Sequence, residues 1–375
     1  MIVKIAIITL NQNDNYGNRL QNYALQEYLL NEIKINKIET IWYDPQYTYI
    51  SKVEAFTWKT WIKYFINWKN QRTYLKKLYL KDNIRMYNIG KFTKKISTRL
   101  DFKIKDNLSE KYDYFIVGSD QVWNPNFWSK NNNHANIRFL KFVPKEKRIA
   151  YAASIAIPEI PKDKEQFFYD SLNEMKAISM REKAGAKLVK NLTGREVPVL
   201  VDPTILLSKE EWQKIEMLPE WYSGEKYILT YFLGNSSPVI EKIAKKNNWK
   251  IYNLMDKDNF DLYTSRVEEF VYLIDHAQLI ATDSFHACVF SILMGTPFLV
   301  VNRQQKGMAD MTSRIDTLLE LFGYHDRYIV NGKCELSDKG ILNMDFSRVK
   351  AIQEREKKRS KDFLEKALNL KVSDR

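Results

Sequence analysis

Short apolar runs rich in β-branched residues alternate with segments of helical periodicity along nearly the whole chain. "VKIAIITL" gives way to a polar loop, "NQNDNYGN", and then to the amphipathic "RLQNYALQEYLLNEI". "KIETIWYD", "YDYFIVGSD", "RIAYAASIA" and "ISMREK" continue the alternation, and "VPVLVDPTILL" closes the set. This pattern predicts parallel strands joined by crossover helices, because parallel neighbours need a connection long enough to cross the sheet. "SKEEWQKIEMLPEWYSGE" reads as a connection, and Ser208 with Glu211 three residues on has the spacing of a capping box. A second set then begins: "KYILTYFLG", "KIYNLM", "QLIATDS" and "TPFLVV" as strands, with "VIEKIAKKNN", "RVEEFVYLIDHA" and "FHACVFSILMG" as helices.

At 375 residues the chain exceeds the usual size of one hydrophobic core, so two domains are expected. The reading is a pair of Rossmann-type α/β domains facing a cleft in a GT-B-like arrangement. The first covers 1–207, the second 208–345, and a terminal helix over 346–375 crosses back to the first. Two cysteines, Cys288 and Cys334, give neither a disulfide framework nor metal-ligand spacing, so no metal and a reducing, cytoplasmic compartment are expected. The start, "MIVKIAIITL", alternates like a core strand rather than a signal peptide, and no run reaches the length of a membrane span.

The net charge of +13 is concentrated: from Phe56 to Arg99, Asp82 is the single acid among many Lys and Arg, interleaved with aromatics. Such a helical insertion over 56–99 either packs through its aromatic face or lies on an anionic membrane surface, which would make the protein peripheral at the inner face of the membrane. No helix-turn-helix, finger or RNP pattern supports a nucleic-acid partner.

Four places carry chemistry. In "LIATDSFHACVFSILMG" a strand ends at Thr282, Asp283 or Ser284 caps a helix, and His286 sits in its first turn. There the helix dipole disfavours the imidazolium, so a neutral ring can accept a proton or meet an anion at the helix N-terminus. In "VGSDQVWN", Gly118 lets the backbone approach a ligand, Ser119 and Asp120 stand at the sheet's carboxyl edge, and Trp123 offers a flat face for a sugar ring. In "NDNYGNRLQNYAL", Asn15, Gly17 and Asn18 open a helix after the first strand, without the glycine pattern of a dinucleotide or P-loop site. In "ISMREK", Arg181 lies just past a strand end, where it can grip a carboxylate or phosphate or pair with Glu182. His276 reads as a helix-end residue, and His134 and His325 as loop residues.

Taken in order, "NYGNRLQNYALQEYL", "YFIVGSDQVWNP", "IAYAASIA", "SMREKAG", "VLVDPTILL", "ATDSFHACVFSILMGTPFLVV" and "SRIDTLLELFG" resemble the polysaccharide pyruvyl transferase family over roughly residues 1–325. The resemblance implies a GT-B-like fold and transfer of an enolpyruvyl group from phosphoenolpyruvate, the donor substrate, to a sugar hydroxyl. A second hydroxyl then closes a pyruvate ketal on a bacterial exopolysaccharide, cell-surface glycan or lipid-linked precursor, and no cofactor is needed. It makes 1–207 the acceptor domain, with Asn15, Gly17, Asn18, Ser119 and Trp123 as acceptor contacts, and 208–345 the donor domain. Arg181 matches the donor-binding arginine of the family, and Ser284-Phe285-His286 stands where the family has Arg-Leu-His. His286 and Asp120 are the expected acid/base groups. Ser284 removes one fixed positive charge, for which Arg303, Lys306 or Arg314 is a candidate replacement. Two other readings remain open: a glycosyltransferase of the same architecture using a nucleotide-sugar donor, and a sugar-binding relative without turnover.

Overall fold

The apolar runs assemble into two all-parallel sheets in the computed structural model of the protein, which describes residues 3–11, 15–43, 73–99, 107–128, 133–232, 238–301, 313–329 and 334–370. β1 (Lys4–Ile8), β2 (Lys37–Ile41), β3 (Thr98–Arg99), β4 (Tyr114–Gly118), β5 (Arg148–Ala153) and β6 (Ala177–Met180) form the first, in the order β3-β2-β1-β4-β5-β6. The second is β11-β10-β9-β7-β8, built from β7 (Tyr227–Tyr231), β8 (Lys250–Asn253), β9 (Leu279–Thr282), β10 (Phe298–Val301) and β11 (Tyr328–Ile329). β5 and β7 are buried along their whole length, as strands covered on both faces must be. In each sheet the chain works outward in one direction and then returns to work outward in the other. The reversal falls between β1 and β4 in the first sheet and between β7 and β9 in the second. Open α/β sheets bind ligands outside the carboxyl ends of the strands at such a reversal.

Helices α1 (Tyr16–Asn31), α2 (Thr73–Lys91), α3 (Lys183–Thr193), α4 (Val267–Asp275), α5 (Phe285–Met294), α6 (Ser313–Phe322) and α7 (Val349–Ala367) frame the sheets. Every residue of α5 is buried, which accounts for a sequence apolar on all sides. α1 of the first domain packs against α4 and α5 of the second. Tyr16 stacks on Phe270 with ring centroids 4.5 Å apart and donates its hydroxyl to the Ser265 carbonyl at 3.0 Å. One apolar cluster runs from Ile5 through α1, α4 and α5 to Leu368, so the inner layers of the two sheets share a core. The predicted capping box forms: the Glu211 carboxylate accepts from the Ser208 N–H at 2.6 Å, and Ser208 Oγ accepts from the Glu211 N–H at 3.2 Å.

The terminal helix does cross back to the first domain. Its buried residues Gln353, Glu356, Ser360, Leu364 and Ala367 recur at helical spacing. Gln353 Nε2 donates to the carbonyls of Ile205 and Leu207 at 2.8 and 2.7 Å, and the Tyr151 hydroxyl bonds Ser360 at 3.0 Å. The result is two Rossmann-type sheets with their carboxyl edges turned toward one cleft, the GT-B-like arrangement expected from the sequence.

Of the basic segment, 56–72 lies outside the described residues. From Thr73 onward it forms α2, which docks on the second domain. Arg85 is buried, donates to the carbonyls of Leu254 (3.1 Å) and Tyr263, and lies 4.8 Å over the Tyr16 ring. Asn88 donates to the Thr264 carbonyl at 2.7 Å, and Asp82 pairs with Lys257 at 2.8 Å. This part of the membrane-surface candidate is therefore an interdomain bridge. Among the described residues no helix is long and apolar enough to cross a membrane.

Candidate active site

β9 ends at Thr282, whose hydroxyl donates to the Tyr231 carbonyl at 2.7 Å and accepts from the Ser284 N–H at 3.0 Å. This turn leaves Ser284 extended at the N-cap of α5 and puts His286 in the first helical turn, 5% exposed. The imidazole lies flat against the start of α1: a Cβ added to Gly17 would stand 2.0 Å from His286 Nδ1, so only glycine fits there. Asn15 caps α1, its Oδ1 accepting from the Gly17 N–H at 2.8 Å. The N-termini of two helices, one from each domain, thus converge on His286. Both present partial positive charge and unsatisfied N–H groups.

On its other side the ring faces Asp202. His286 Nε2 is buried without a hydrogen-bond partner among the described residues, 3.6 Å from Asp202 Oδ2. Ser119 Oγ donates to that oxygen at 2.8 Å and Arg181 Nη1 at 2.8 Å, while Thr204 donates to Oδ1 through N–H (3.0 Å) and hydroxyl (2.7 Å). Burial alone would raise the carboxyl pKa of Asp202. His286, Arg181 and the Thr204 N–H outweigh it and hold the group well below the carboxylate range.

Arg181 Nη2 reaches Asp120 Oδ1 at 3.1 Å, and Arg314 Nη1 stands 3.8 Å from the same oxygen. The Arg181 guanidinium stacks 4.5 Å over the Phe285 ring. Asp120 has φ of 61°, the left-handed region that aspartate tolerates better than most residues, and this aims its carboxylate at Arg181. Its pKa is likewise depressed: burial opposes, and Arg181, His286 and Arg314 prevail.

These contacts bring together Asn15, Gly17, Ser119, Asp120, Arg181, Ser284, Phe285 and His286, residues singled out from the sequence. Four expectations need correction. Trp123 is fully buried, stacked on Phe139 at 4.8 Å with its indole N–H donated to the Arg138 carbonyl, so neither face is open to a sugar. Gly118 serves strand packing rather than a ligand, since a Cβ there would meet the Tyr151 carbonyl oxygen at 2.5 Å. Arg181 does not pair with its neighbour Glu182, whose Oε1 instead accepts from Ser154 Oγ and the N–H groups of Ile155 and Ala156. Asn18, read as an acceptor contact, is buried as well, at 2% exposure. Arg303 and Lys306 lie outside the described residues, whereas Arg314 reaches the site.

Sequence reading missed Asp202. The one hint was an aspartate before a proline, closing the apolar run "VPVLV". A cleft of about 340 Å3 opens beside the cluster, and Arg181, Asp202, Phe285, Arg314, Leu200, Ile205 and Leu318 are among its lining residues. Glu216, Asp275 and His276 place ligand atoms within 4.8 Å of one another, but Lys209 already supplies the cation at Asp275, 2.7 Å away.

A buried histidine backed by a carboxylate, between two guanidinium groups and two helix N-termini, fits acid/base chemistry on an anionic substrate. The family comparison decides among the proteins that could carry such a site: the model for "Polysaccharide pyruvyl transferase" matches residues 15–305. The chain belongs to the polysaccharide pyruvyl transferase family. The match spans the helix start at Asn15, the strand edges at Ser119 and Arg181, and α5 with His286, and it ends before Arg314 and α7. Membership makes the chain one of a family of transferases.

No curated protein is matched by the sequence. Among solved structures the fold is similar to UDP-N-acetylglucosamine 2-epimerase from Rickettsia bellii, at 10% identity and a TM-score of 0.48, with 98% of each chain covered. It is also similar to MurG from Acinetobacter baumannii, at 9% identity and a TM-score of 0.37, covering 98% of this chain and 99% of that one. S. aureus MnaA, solved with UDP, aligns at 11% identity and a TM-score of 0.43, covering 100% of this chain and 99% of the other.

Proposed function

We propose that this pyruvyl transferase family member moves the enolpyruvyl group of phosphoenolpyruvate to a sugar hydroxyl of a bacterial surface glycan or its precursor, and that a second hydroxyl closes the pyruvate ketal. The observation that carries the reading is the His286–Asp202 pair set between Arg181 and Arg314 at the meeting of two helix N-termini.

The reaction needs a proton for the methylene carbon of the donor, attack of a hydroxyl oxygen on C2, and cleavage of the C2–O bond to phosphate. One hydroxyl proton of the diol ends on the new methyl group, and the other leaves with phosphate or a base. His286 is the proton carrier, and Asp202 fixes its ring and stabilises the imidazolium when it forms. Arg181 anchors Asp202 and Asp120 and lines the cleft that takes the donor in this reading. Arg314 supplies the charge that Ser284 does not. Asp120 holds Arg181 in place through Nη2, with Arg314 Nη1 beside the same carboxylate oxygen.

The test is incubation with phosphoenolpyruvate and a panel of oligosaccharide acceptors, following inorganic phosphate release and the product mass. Phosphate release with a pyruvate ketal in the product, reduced about 100-fold or more in His286→Ala, supports the reading. Transfer from a nucleotide sugar, with phosphoenolpyruvate inert, would establish the glycosyltransferase reading instead.

A further inference from the structure

Asp202 stands on a segment that has left the sheet. The run "VLVDPTILL" meets β6 through the bridge of Val199 to Met180 and the Leu200 N–H, which donates to the Met180 carbonyl at 2.9 Å. Pro203, which has no N–H to give, then starts a 3-10 turn over Pro203–Leu206. Residues 200–207 are nevertheless buried, so their carbonyls need partners that a strand ladder does not give them.

Side chains take that place. The Tyr151 hydroxyl lies 3.1 Å from the Val201 carbonyl oxygen and 3.0 Å from Ser360 Oγ on α7, and Trp212 Nε1 donates to the Thr204 carbonyl at 3.0 Å. Gln353, 5% exposed on α7, donates through Nε2 to the carbonyls of Ile205 at 2.8 Å and Leu207 at 2.7 Å. Both neighbours are carbonyl oxygens, so only the NH2 end of the amide can face them, and both of its hydrogens are spent there. The helix that supplies Gln353 lies beyond the residues that the family model matches.

Resting on the proposed function, we infer that Gln353 is a positioning residue for the His286–Asp202 pair. It acts through the backbone at Ile205 and Leu207, which fixes the turn that carries Asp202. The carboxylate moves with that turn, because Asp202 Oδ1 is held by the N–H and hydroxyl of Thr204 inside it. Asp202 Oδ2 stands 3.6 Å from His286 Nε2, just outside hydrogen-bond range, so a small shift of the turn decides whether the pair engages. The terminal helix is thereby part of the frame of the active site as well as a tie between the domains.

Phosphate release from phosphoenolpyruvate with the oligosaccharide panel, beside calorimetric titration of phosphoenolpyruvate alone, tests the role. Gln353→Met keeps the length of the side chain and removes its donors. The expected result is a kcat lowered about tenfold or more, with donor affinity unchanged because Arg181 and Arg314 are untouched. Tyr151→Phe deletes one hydroxyl from the same set of contacts, so it carries the test even if Gln353→Met does not fold, and its kcat should fall in the same direction. Tyr28→Phe is the control: it removes a different bond to α7, from the Tyr28 hydroxyl to the Lys357 carbonyl at 2.8 Å, and turnover should stay at the wild-type level. In an Asp202→Asn background, Gln353→Met should lower kcat by less than about twofold more, since residues that act through one another do not add, whereas a merely structural loss would repeat its full effect. Wild-type kcat in both Gln353→Met and Tyr151→Phe, an equal loss in Tyr28→Phe, or full additivity with Asp202→Asn overturns the inference and leaves the proposed function standing. No phosphate release by wild type overturns the proposed function and this inference with it.

Discussion

Asp202 receives hydrogen bonds from Ser119, Arg181 and both donors of Thr204, and it faces His286 Nε2. Replacing it by Asn keeps the shape but leaves the buried Arg181 with Asp120 as its one remaining ion-pair partner within 4 Å among the described residues. Breaking such a pair costs about 3 kcal/mol. Thermal or urea unfolding of Asp202→Asn should show that loss, together with a fall in turnover larger than the change in donor affinity. The depressed pKa of Asp202 fixes the pH window. The stabilisation is present throughout the range above the ordinary carboxylate value and is lost only as pH falls through the lower folded value, so the difference from wild type should be flat from about pH 5 to 8. Gly17 gives a second prediction. Gly17→Ala drives a methyl group into the imidazole, and overpacking of this kind costs about 2 kcal/mol. Activity should fall as His286 is displaced, while phosphoenolpyruvate binding through the arginines is largely kept; calorimetry beside an activity assay separates the two. His286 and Arg181 were legible from sequence because each follows an apolar strand directly. Asp202 was not, because apart from Thr204 its partners Ser119, Arg181 and His286 lie far away along the chain and no local pattern marks them. Trp123 misled for the complementary reason, since sequence shows an aromatic ring but not the Phe139 stacked on it.

At the scale of elements, most strands and the principal helices were readable from periodicity, and the fully apolar α5 from its composition; the two-residue edge strands β3 and β11 were not, and "VPVLV", read as a strand, makes only the single bridge of Val199 to Met180. The role of α2 was not: a basic, aromatic segment looks the same whether it meets a membrane or another domain. Arg85 settles this for the described part of the segment, since its donors end on carbonyls of the second domain. Arg85→Ala strands those carbonyls and removes two ring contacts, and unfolding should show a loss of about 2 kcal/mol. The link between the domains carries its own pH signature. Glu216 has its pKa pushed up to about 7 by burial and by Asp275 beside it, with Lys209 opposing. The folded state therefore holds this proton where the unfolded chain, with an ordinary carboxyl, has released it. Its stabilising contribution is full below the ordinary carboxylate range and declines as pH rises toward about 7. The melting temperature of wild type should fall relative to Glu216→Gln across that window; parallel melting curves would refute the shift.

The whole molecule joins two doubly wound sheets, and each contributes the edge where its strand order reverses: β4 with Ser119 and Asp120, β9 with Ser284 and His286. Neither domain holds the site alone. Arg181 and Asp202 belong to the first and His286 and Arg314 to the second, while Tyr16, Phe270 and the shared apolar cluster keep the two in register. The central claim is that this junction binds an anionic three-carbon donor through Arg181 and Arg314 with His286 against it. Isothermal titration of phosphoenolpyruvate into wild type, Arg314→Gln and His286→Ala tests it most directly. The account predicts saturable binding in wild type, weakened about tenfold or more in Arg314→Gln and less in His286→Ala. No binding at millimolar donor to protein shown to be folded, or equal binding in Arg314→Gln, would contradict it.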